Sequence, residues 1–125
     1  MAVKRPVFTE NFSANLTDIE AFLGVEGTHA FKRLFKRLAD NVIPTLCRFP
    51  QSGRQFFAHA IHSSEARSLV RKLRRRLEPS DDLREFIVDD YLLLYLVRGE
   101  QIVLLAINHH RQLSFDLKGF WLQAG

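Results

Sequence analysis

The stretch LREFIVDDYLLLYLVRGEQIVLLAINHHRQ, residues 83–112, decides the fold of this chain. Three extended segments rich in Leu, Ile, Val and Tyr are predicted within it: Leu83–Val88, Tyr91–Val97 and Gln101–Asn108. Two short polar joints that suit hairpin turns separate these segments: Asp89-Asp90 and Arg98-Gly99-Glu100. The stretch therefore predicts an antiparallel meander.

The middle segment of this meander is apolar at nearly every position, which indicates a central strand that is covered on both faces. Helices elsewhere in the chain are expected to cover one of these faces. A partner protein is one candidate cover for the other face, and ordinary hydrophobic core is the alternative.

A short strand and two amphipathic helices are expected before the meander. Val3–Thr9 is interpreted as an edge strand, because Pro6 lacks the amide hydrogen that a central strand needs. Apolar residues then recur at helical spacing, first at Phe12, Leu16, Ile19, Phe22 and Leu23, and then at Phe31, Leu34, Phe35, Leu38 and Val42. This order predicts a helical hairpin.

Polar residues, glycines and a proline set the expected bounds of these two helices. Asn11 or Ser13 is expected to cap the first helix, and Gly24 and Gly27 separate it from the second. Pro44 is expected to end or kink the second helix, because a proline inside a helix removes a hydrogen bond and clashes with the preceding turn.

A third helical pattern, Ser63–Leu77, lies in the segment Gln55–Asp82. Its outer positions are strongly basic: Arg67, Arg71, Lys72, Arg74, Arg75 and Arg76. Residues 1–80 hold 14 Lys and Arg against 7 Asp and Glu, a balance of +7, whereas residues 81–125 hold 4 against 7, a balance of −3. Three interpretations of the basic helix remain open: a surface that binds a target or nucleic acid, a surface on which an acidic protein segment lies, and a solvated helix face.

Length and composition restrict the class of protein. A chain of 125 residues with 46% hydrophobic residues is expected to form one folded domain over residues 1–125. The single cysteine, Cys47, excludes an internal disulfide, and His29, His59 and His62 lack a metal-binding spacing, so no metal or other cofactor is expected. No apolar run suits a secretory signal or a membrane span, which favours the cytoplasm and no membrane partner.

The order of strand, helical hairpin and meander resembles the RelE/ParE superfamily, the toxins of bacterial type II toxin–antitoxin pairs. The similarity is strongest over the segments Leu83–Phe86, Asp90–Tyr95 and Ile102–Arg111. It extends more weakly to Pro6–Thr9 with Leu16, Ile19 and Phe22, and to Pro50, Gly53 and Arg54. The segment Gln55–Asp82 departs from the shorter members of the family.

This resemblance implies an α+β fold in which an N-terminal strand and a helical hairpin pack on a twisted antiparallel sheet, with an extra basic helix inserted before the sheet. It also implies a toxin that a cognate antitoxin neutralises. Members of the superfamily have two known activities: the RelE-like toxins cut messenger RNA on the ribosome, and the ParE-like toxins inhibit DNA gyrase.

RNA cleavage needs a base, an acid and cations that stabilise the phosphorane charge. Leu92 and Leu117 stand where RelE has a catalytic arginine and a catalytic tyrosine. A histidine near the end of the last strand is able to act as acid or base, since imidazole titrates near neutral pH. The candidates for a rearranged ribonuclease site are Arg84, His109, His110 and Arg111. An ion pair of Arg84 with Asp89, Asp90 or Asp116 is the structural alternative for that residue.

The ending His109-His110-Arg111-Gln112 is similar to the His-x-Arg ending of ParE-like members. The resemblance therefore favours a toxin that binds gyrase without chemistry of its own. A ribosome-dependent endoribonuclease is the first alternative. A non-toxic nucleic-acid-binding module that uses the basic helix is the second.

Overall fold

The computed structural model describes residues 3–56, 71 and 74–109. The strands and principal α-helices in these ranges are β1 Arg5–Phe8, α1 Glu10–Leu23, α2 Thr28–Arg37, α3 Ile43–Arg48, β2 Arg54–Gln55, β3 Asp82–Val88, β4 Tyr91–Arg98 and β5 Gln101–His109. They form the predicted α+β fold, with the helices on one side of a five-stranded sheet. None of the helices in these ranges has the length and apolar content to cross a membrane.

The sheet has the order β1-β5-β4-β3-β2, so the apolar strand β4 lies at its centre. The predicted meander of β3, β4 and β5 is confirmed, and two-residue turns at Asp89-Asp90 and Gly99-Glu100 join its strands. Asp89 and Gly99 adopt positive φ angles of 54° and 56°, the left-handed conformation that tight hairpin turns require.

The two edges of the sheet differ from the expectation in different ways: one edge strand pairs in parallel, and the other is an additional antiparallel strand. β1 pairs with β5 in parallel, from Arg5 opposite Gln101 to Phe8 opposite Leu104, so the sheet is mixed. The short strand β2 adds the opposite edge by pairing with β3. Both pairings depend on where the chain returns after long connections.

A β-bulge interrupts the pairing of β4 with β5. Leu94 lies opposite Ala106 and Tyr95 lies opposite Leu104, which leaves Leu105 as the extra residue. The bulge shifts the alternation of side chains in β5, so that Leu105 and Ala106 both belong to the core on the second face of the sheet.

Two separate hydrophobic cores cover the two faces of the sheet. The first lies under the helices and contains these buried residues: Phe12, Leu34, Leu38, Val42, Leu46, Cys47, Val88, Leu93, Tyr95, Ile102, Leu104 and Ile107. The second contains Leu83, Leu94, Leu96, Leu105 and Ala106, with Phe56, Leu77 and Val103 packed against it. The two-sided burial predicted for β4 is therefore confirmed, and the second face is ordinary core.

The cap of α1 differs from the prediction. Thr9, rather than Asn11 or Ser13, is the N-cap, and its Oγ1 accepts a hydrogen bond of 3.1 Å from the amide of Phe12. Asn11 is buried instead, and its Nδ2 donates to the carbonyl of Leu105 at 2.9 Å. The side chain that sequence assigned to the cap thus ties α1 to the sheet.

The second predicted helix is also longer than expected, because Pro44 does not end it. A π-helical turn, Leu38–Val42, follows α2, and the amide of Ile43 donates to the carbonyl of Leu38. Pro44 stands at the start of α3, where a missing amide hydrogen costs little. The wider turn therefore accommodates the proline, and the helical path continues to Arg48.

The third helical pattern lies largely outside the described residues. Within Ser63–Leu77, residues 71 and 74–77 are described; residues 71 and 74–76 are helical, and Leu77 lies in a bend.

Candidate functional site

A buried polar cluster holds the turn Pro50–Gly53 against the sheet. Tyr95, which is fully buried, donates through its hydroxyl to the carbonyl of Pro50 at 2.7 Å and accepts from the amide of Gly53 at 2.9 Å. Burial is the main cause that raises the pKa of the Tyr95 hydroxyl above its ordinary value, so this hydroxyl stays protonated. Tyr95 is therefore the anchor of the turn.

Arg84, a predicted catalytic candidate, belongs to the same cluster. Its Nη1 donates to the carbonyl of Gly53 at 2.7 Å, and its Nε donates to Asp82 Oδ2 at 2.7 Å. Only 8% of the residue is exposed. The ion-pair partner is Asp82, rather than Asp89 or Asp90, and Asp116 lies outside the described residues. The guanidinium thus stabilises the turn from within the protein.

His109, a second catalytic candidate, lies at the far end of β5. Its ring meets that of Tyr91 edge-on, with centroids 5.6 Å apart and an interplanar angle of 74°. Arg84 lies opposite Tyr95, which in turn lies opposite Leu104. From Leu104 to His109 the strand advances by about 15 Å, so the structure does not bring Arg84 and His109 together.

His110 and Arg111 lie outside the described residues, as do Leu117, Arg67 and Lys72. The other predicted members of the basic helix are described, and all of them are exposed: Arg71, Arg74, Arg75 and Arg76. Among residues 3–56, 71 and 74–109, no three His, Cys, Asp or Glu side chains are grouped as metal ligands would be.

The basic segment joins the sheet through an ion pair between Asp81 and Arg98. Two of the three guanidinium nitrogens of Arg98, Nε and Nη2, donate to the two carboxylate oxygens of Asp81 at 2.9 and 2.7 Å. The amide of Glu78 donates to the same carboxylate at 2.8 Å. The hydrogen bond from Arg98 is the main cause that holds the pKa of Asp81 below its ordinary value.

This lowered pKa predicts a specific pH dependence of stability. The folded state favours the charged carboxylate, so the contribution of Asp81 is complete above the ordinary aspartate pKa of about 3.9 and is lost as the pH falls through the lower folded value. We expect Asp81→Asn to flatten the acid limb of a plot of unfolding free energy against pH, measured by urea denaturation.

The matched control for this measurement is Asp89→Asn, which removes an exposed ion pair with Arg37 at 3.8 Å. We expect it to leave the acid limb as in the parent chain. Equal acid limbs for the parent and Asp81→Asn would contradict the assignment.

An apolar groove runs between β1, α1 and the second helical path. This groove has a volume of about 570 Å³ and is lined by Val3, Lys4, Pro6, Phe8, Phe12, Ser13, Leu16, Phe35, Leu38, Ala39, Ile43, Pro44 and Cys47. Val3, Phe8 and Phe35 are each more than half exposed. Lys4 supplies the charge in this lining, and its Nζ donates to the carbonyl of Gly99 at 2.6 Å.

A second cavity, of about 690 Å³, lies between α1 and the end of β5. This end cavity is lined by Asn15, Asp18, Ile19, Phe22, Leu23, Asp90, Tyr91, Ile107, Asn108 and His109. Burial, and secondarily the charge of Asp90, raises the pKa of the Tyr91 hydroxyl. The predicted residue His109 thus lines a cavity with carboxylates and apolar side chains rather than with cations.

Phe8 and Phe35 were not predicted from the sequence as binding residues. The sequence signal that could have identified Phe35 is the apolar stripe of the second helix, which is wider than the part of the helix that is buried in the core. Leu34, Leu38 and Val42 are buried, whereas Phe35 is 53% exposed.

A protein-family model described as the ParE toxin of the type II toxin–antitoxin system, parDE, matches residues 7–114 of the chain. This range includes Val7 and Phe8 of β1, all the other strands, the helical path, the buried cluster and the linings of both cavities except Val3, Lys4 and Pro6. No curated protein matches the chain in sequence.

Proposed function

Because this chain belongs to the ParE toxin family of type II toxin–antitoxin systems, we propose that it arrests growth by binding DNA gyrase, without chemistry of its own. Gyrase is an expectation from the family resemblance. The observation that carries the absence of chemistry is the position of Arg84. Its guanidinium donates hydrogen bonds to the Gly53 carbonyl and to Asp82, and it lies about 15 Å along the sheet from His109.

A nuclease site would need these groups together. Ribonucleolytic chemistry requires a cation and an acid or base within hydrogen-bond reach of one phosphate. Arg84 would have to break its hydrogen bonds to the Gly53 carbonyl and to the Asp82 carboxylate to reach any ligand. The described residues therefore favour a toxin that acts by binding.

We further propose that the cognate antitoxin, a partner that the family implies, neutralises the chain by laying an acidic, amphipathic tail in the groove. Three features support this occupant. Large apolar side chains are exposed there, which marks an interaction surface. The lining is uncharged apart from Lys4. The chain as a whole carries a net charge of +4, which attracts an acidic segment that folds on binding.

A growth assay combined with two biochemical assays tests this function. We expect expression of the chain in the cytoplasm to halt growth and co-expression of the antitoxin to restore it. Purified chain is expected to block supercoiling by gyrase and to leave ribosome-bound messenger RNA intact.

Two outcomes would overturn the proposal. Messenger cleaved at the ribosomal A site, with cleavage lost in His109→Ala, would make the chain a nuclease. Harmless expression together with steeply salt-dependent binding to random-sequence nucleic acid would make it a nucleic-acid-binding module that uses Arg71, Arg74, Arg75 and Arg76.

A further inference from the structure

The end cavity lies where, among the residues that the structure describes, no strand pairs with the outer edge of β5 beyond Leu104. β1 pairs with β5 as far as Phe8 opposite Leu104. Past that point α1 takes over: the Nδ2 of Asn11 donates to the carbonyl of Leu105 at 2.9 Å, and the amide of Ile107 donates to the Oδ1 of Asn15 at 3.0 Å. Two amide side chains thus stand where a strand would lie, and the space beyond them opens between α1 and β5.

Phe22 is the most exposed aromatic side chain among the described residues, with 89% of its surface open. It lies on the wall of the end cavity together with Ile19, and Val25, just past the end of α1, is 92% exposed. Exposed aromatic groups beside a concave apolar surface are typical of binding hot spots. The helical period of α1 alone does not explain why these groups face solvent.

The charge around the end cavity is opposite to that of the groove. Asp18 and Asp90 line it, and no lysine or arginine of the described residues does. Asp18 forms no ion pair within the ranges that the structure covers. The chain as a whole is basic, so this local acidity runs against the net charge of +4. An acidic tail that suits the groove does not suit the end cavity.

We infer that the end cavity docks an apolar segment of a second protein partner, one that carries arginine or lysine beside its apolar side chains. Phe22 and Ile19 contact the apolar side chains of that segment, and Asp18 pairs with its cation. The groove and the end cavity then accept segments of opposite charge, so the chain discriminates between two partners by electrostatics. This inference goes beyond the proposed function, and it holds whichever target the toxin has.

Two designed peptides test the inference directly. One is a short amphipathic helix of leucine and arginine, and the other is its leucine and glutamate counterpart. We expect the arginine peptide to bind the purified full chain, measured by fluorescence anisotropy, although this peptide and the chain both carry positive net charge. Phe22→Ala and Asp18→Lys are each expected to weaken that binding about tenfold, and added salt to weaken it further.

Phe49→Ala is the matched control, because Phe49 is also an exposed phenylalanine and lines neither cavity. It should leave the affinity for the arginine peptide unchanged. Phe22→Ala should leave the affinity for the glutamate peptide unchanged. Three results would overturn the inference: no binding of the arginine peptide to the parent chain, equal losses in Phe22→Ala and Phe49→Ala, or no effect of Asp18→Lys.

The peptide assay separates this inference from the proposed function. A parent chain that binds the arginine peptide at Phe22 but neither arrests growth nor blocks gyrase would sustain the docking surface and remove the gyrase proposal. A parent chain that blocks gyrase but does not bind the arginine peptide would sustain the gyrase proposal and remove the docking surface.

Discussion

Gly53→Ala is expected to lower the free energy of unfolding by about 2–4 kcal/mol. A Cβ atom at this position would lie 2.5 Å from the carbonyl oxygen of Glu85 and 2.6 Å from the hydroxyl oxygen of Tyr95. Neither atom is the free end of a flexible side chain: one is backbone of β3, and the other is held by Pro50 and Gly53 itself. The turn must therefore move away from the sheet and give up these hydrogen bonds. Urea denaturation measures the loss.

Gly99→Ala is the control for this prediction. Gly99 has a positive φ of 56°, but no atom lies within 4 Å of a Cβ built there. Alanine should cost only the backbone penalty of that conformation, about 1 kcal/mol. Tyr95→Phe removes the hydroxyl without adding a clash and should cost about 1–3 kcal/mol. An unfolding free energy of Gly53→Ala equal to that of Gly99→Ala would show that the cluster at Tyr95 adds nothing.

Phe35→Asp is expected to weaken binding of the cognate antitoxin at least about a hundredfold. The substitution replaces an aromatic contact of the groove by a carboxylate, which must lose its water when the antitoxin tail covers it. The new charge also repels the acidic residues that we propose for that tail. Phe35 is 53% exposed in the free chain and lies outside the buried core, so we expect the fold of the toxin to tolerate the substitution.

The dissociation constant, measured by isothermal titration calorimetry with the purified full chain and its antitoxin, checks this prediction. Phe49→Asp makes the same chemical change at an exposed phenylalanine outside the groove, and we expect parent-like affinity from it. If Phe35→Asp bound the antitoxin as the parent does, the groove would not be the antitoxin site.

The strands of the meander were predictable because their signals are local. Runs of Leu, Ile, Val and Tyr end at Asp89-Asp90 and at Gly99-Glu100, and β3, β4 and β5 begin or end within one residue of the predicted bounds. The parallel pairing of β1 with β5 and the pairing of β2 with β3 have no local signal. Each depends on the path of the chain between segments far apart in sequence.

Helical periodicity placed apolar side chains on one stripe but did not say how far the core reaches. Phe12 and Leu34 are buried, whereas Phe22 and Phe35, at equivalent spacing, are largely exposed. Pro44 was predicted to end or kink the second helix, and the structure rules out the end but not the kink. A proline is costly in a regular α-helix, but the π-helical turn before Pro44 removes the conflict.

The candidate site was predicted least well, because burial of a charge depends on remote partners. Arg84 in the strand pattern resembles an exposed cation. Its acceptor at Gly53 comes from a turn that precedes the basic segment in the chain. The acidic character of the end cavity likewise arises from Asp18 on α1 and Asp90 in a hairpin turn, which only the folded chain brings together.

The bulge at Leu105 reverses the alternation of side chains between the two faces along β5. Before it, Ile102 and Leu104 face the helices; after it, Ile107 faces the helices again, although odd and even positions have exchanged roles. One extra residue therefore decides which side chains of the last residues of β5 lie on each face of the sheet. Without it, Ile107 and His109 would point toward the second core, and the even-numbered residues would face α1. The single extra residue thus leaves β5 packed in both cores and places Ile107 and His109 beside the end cavity.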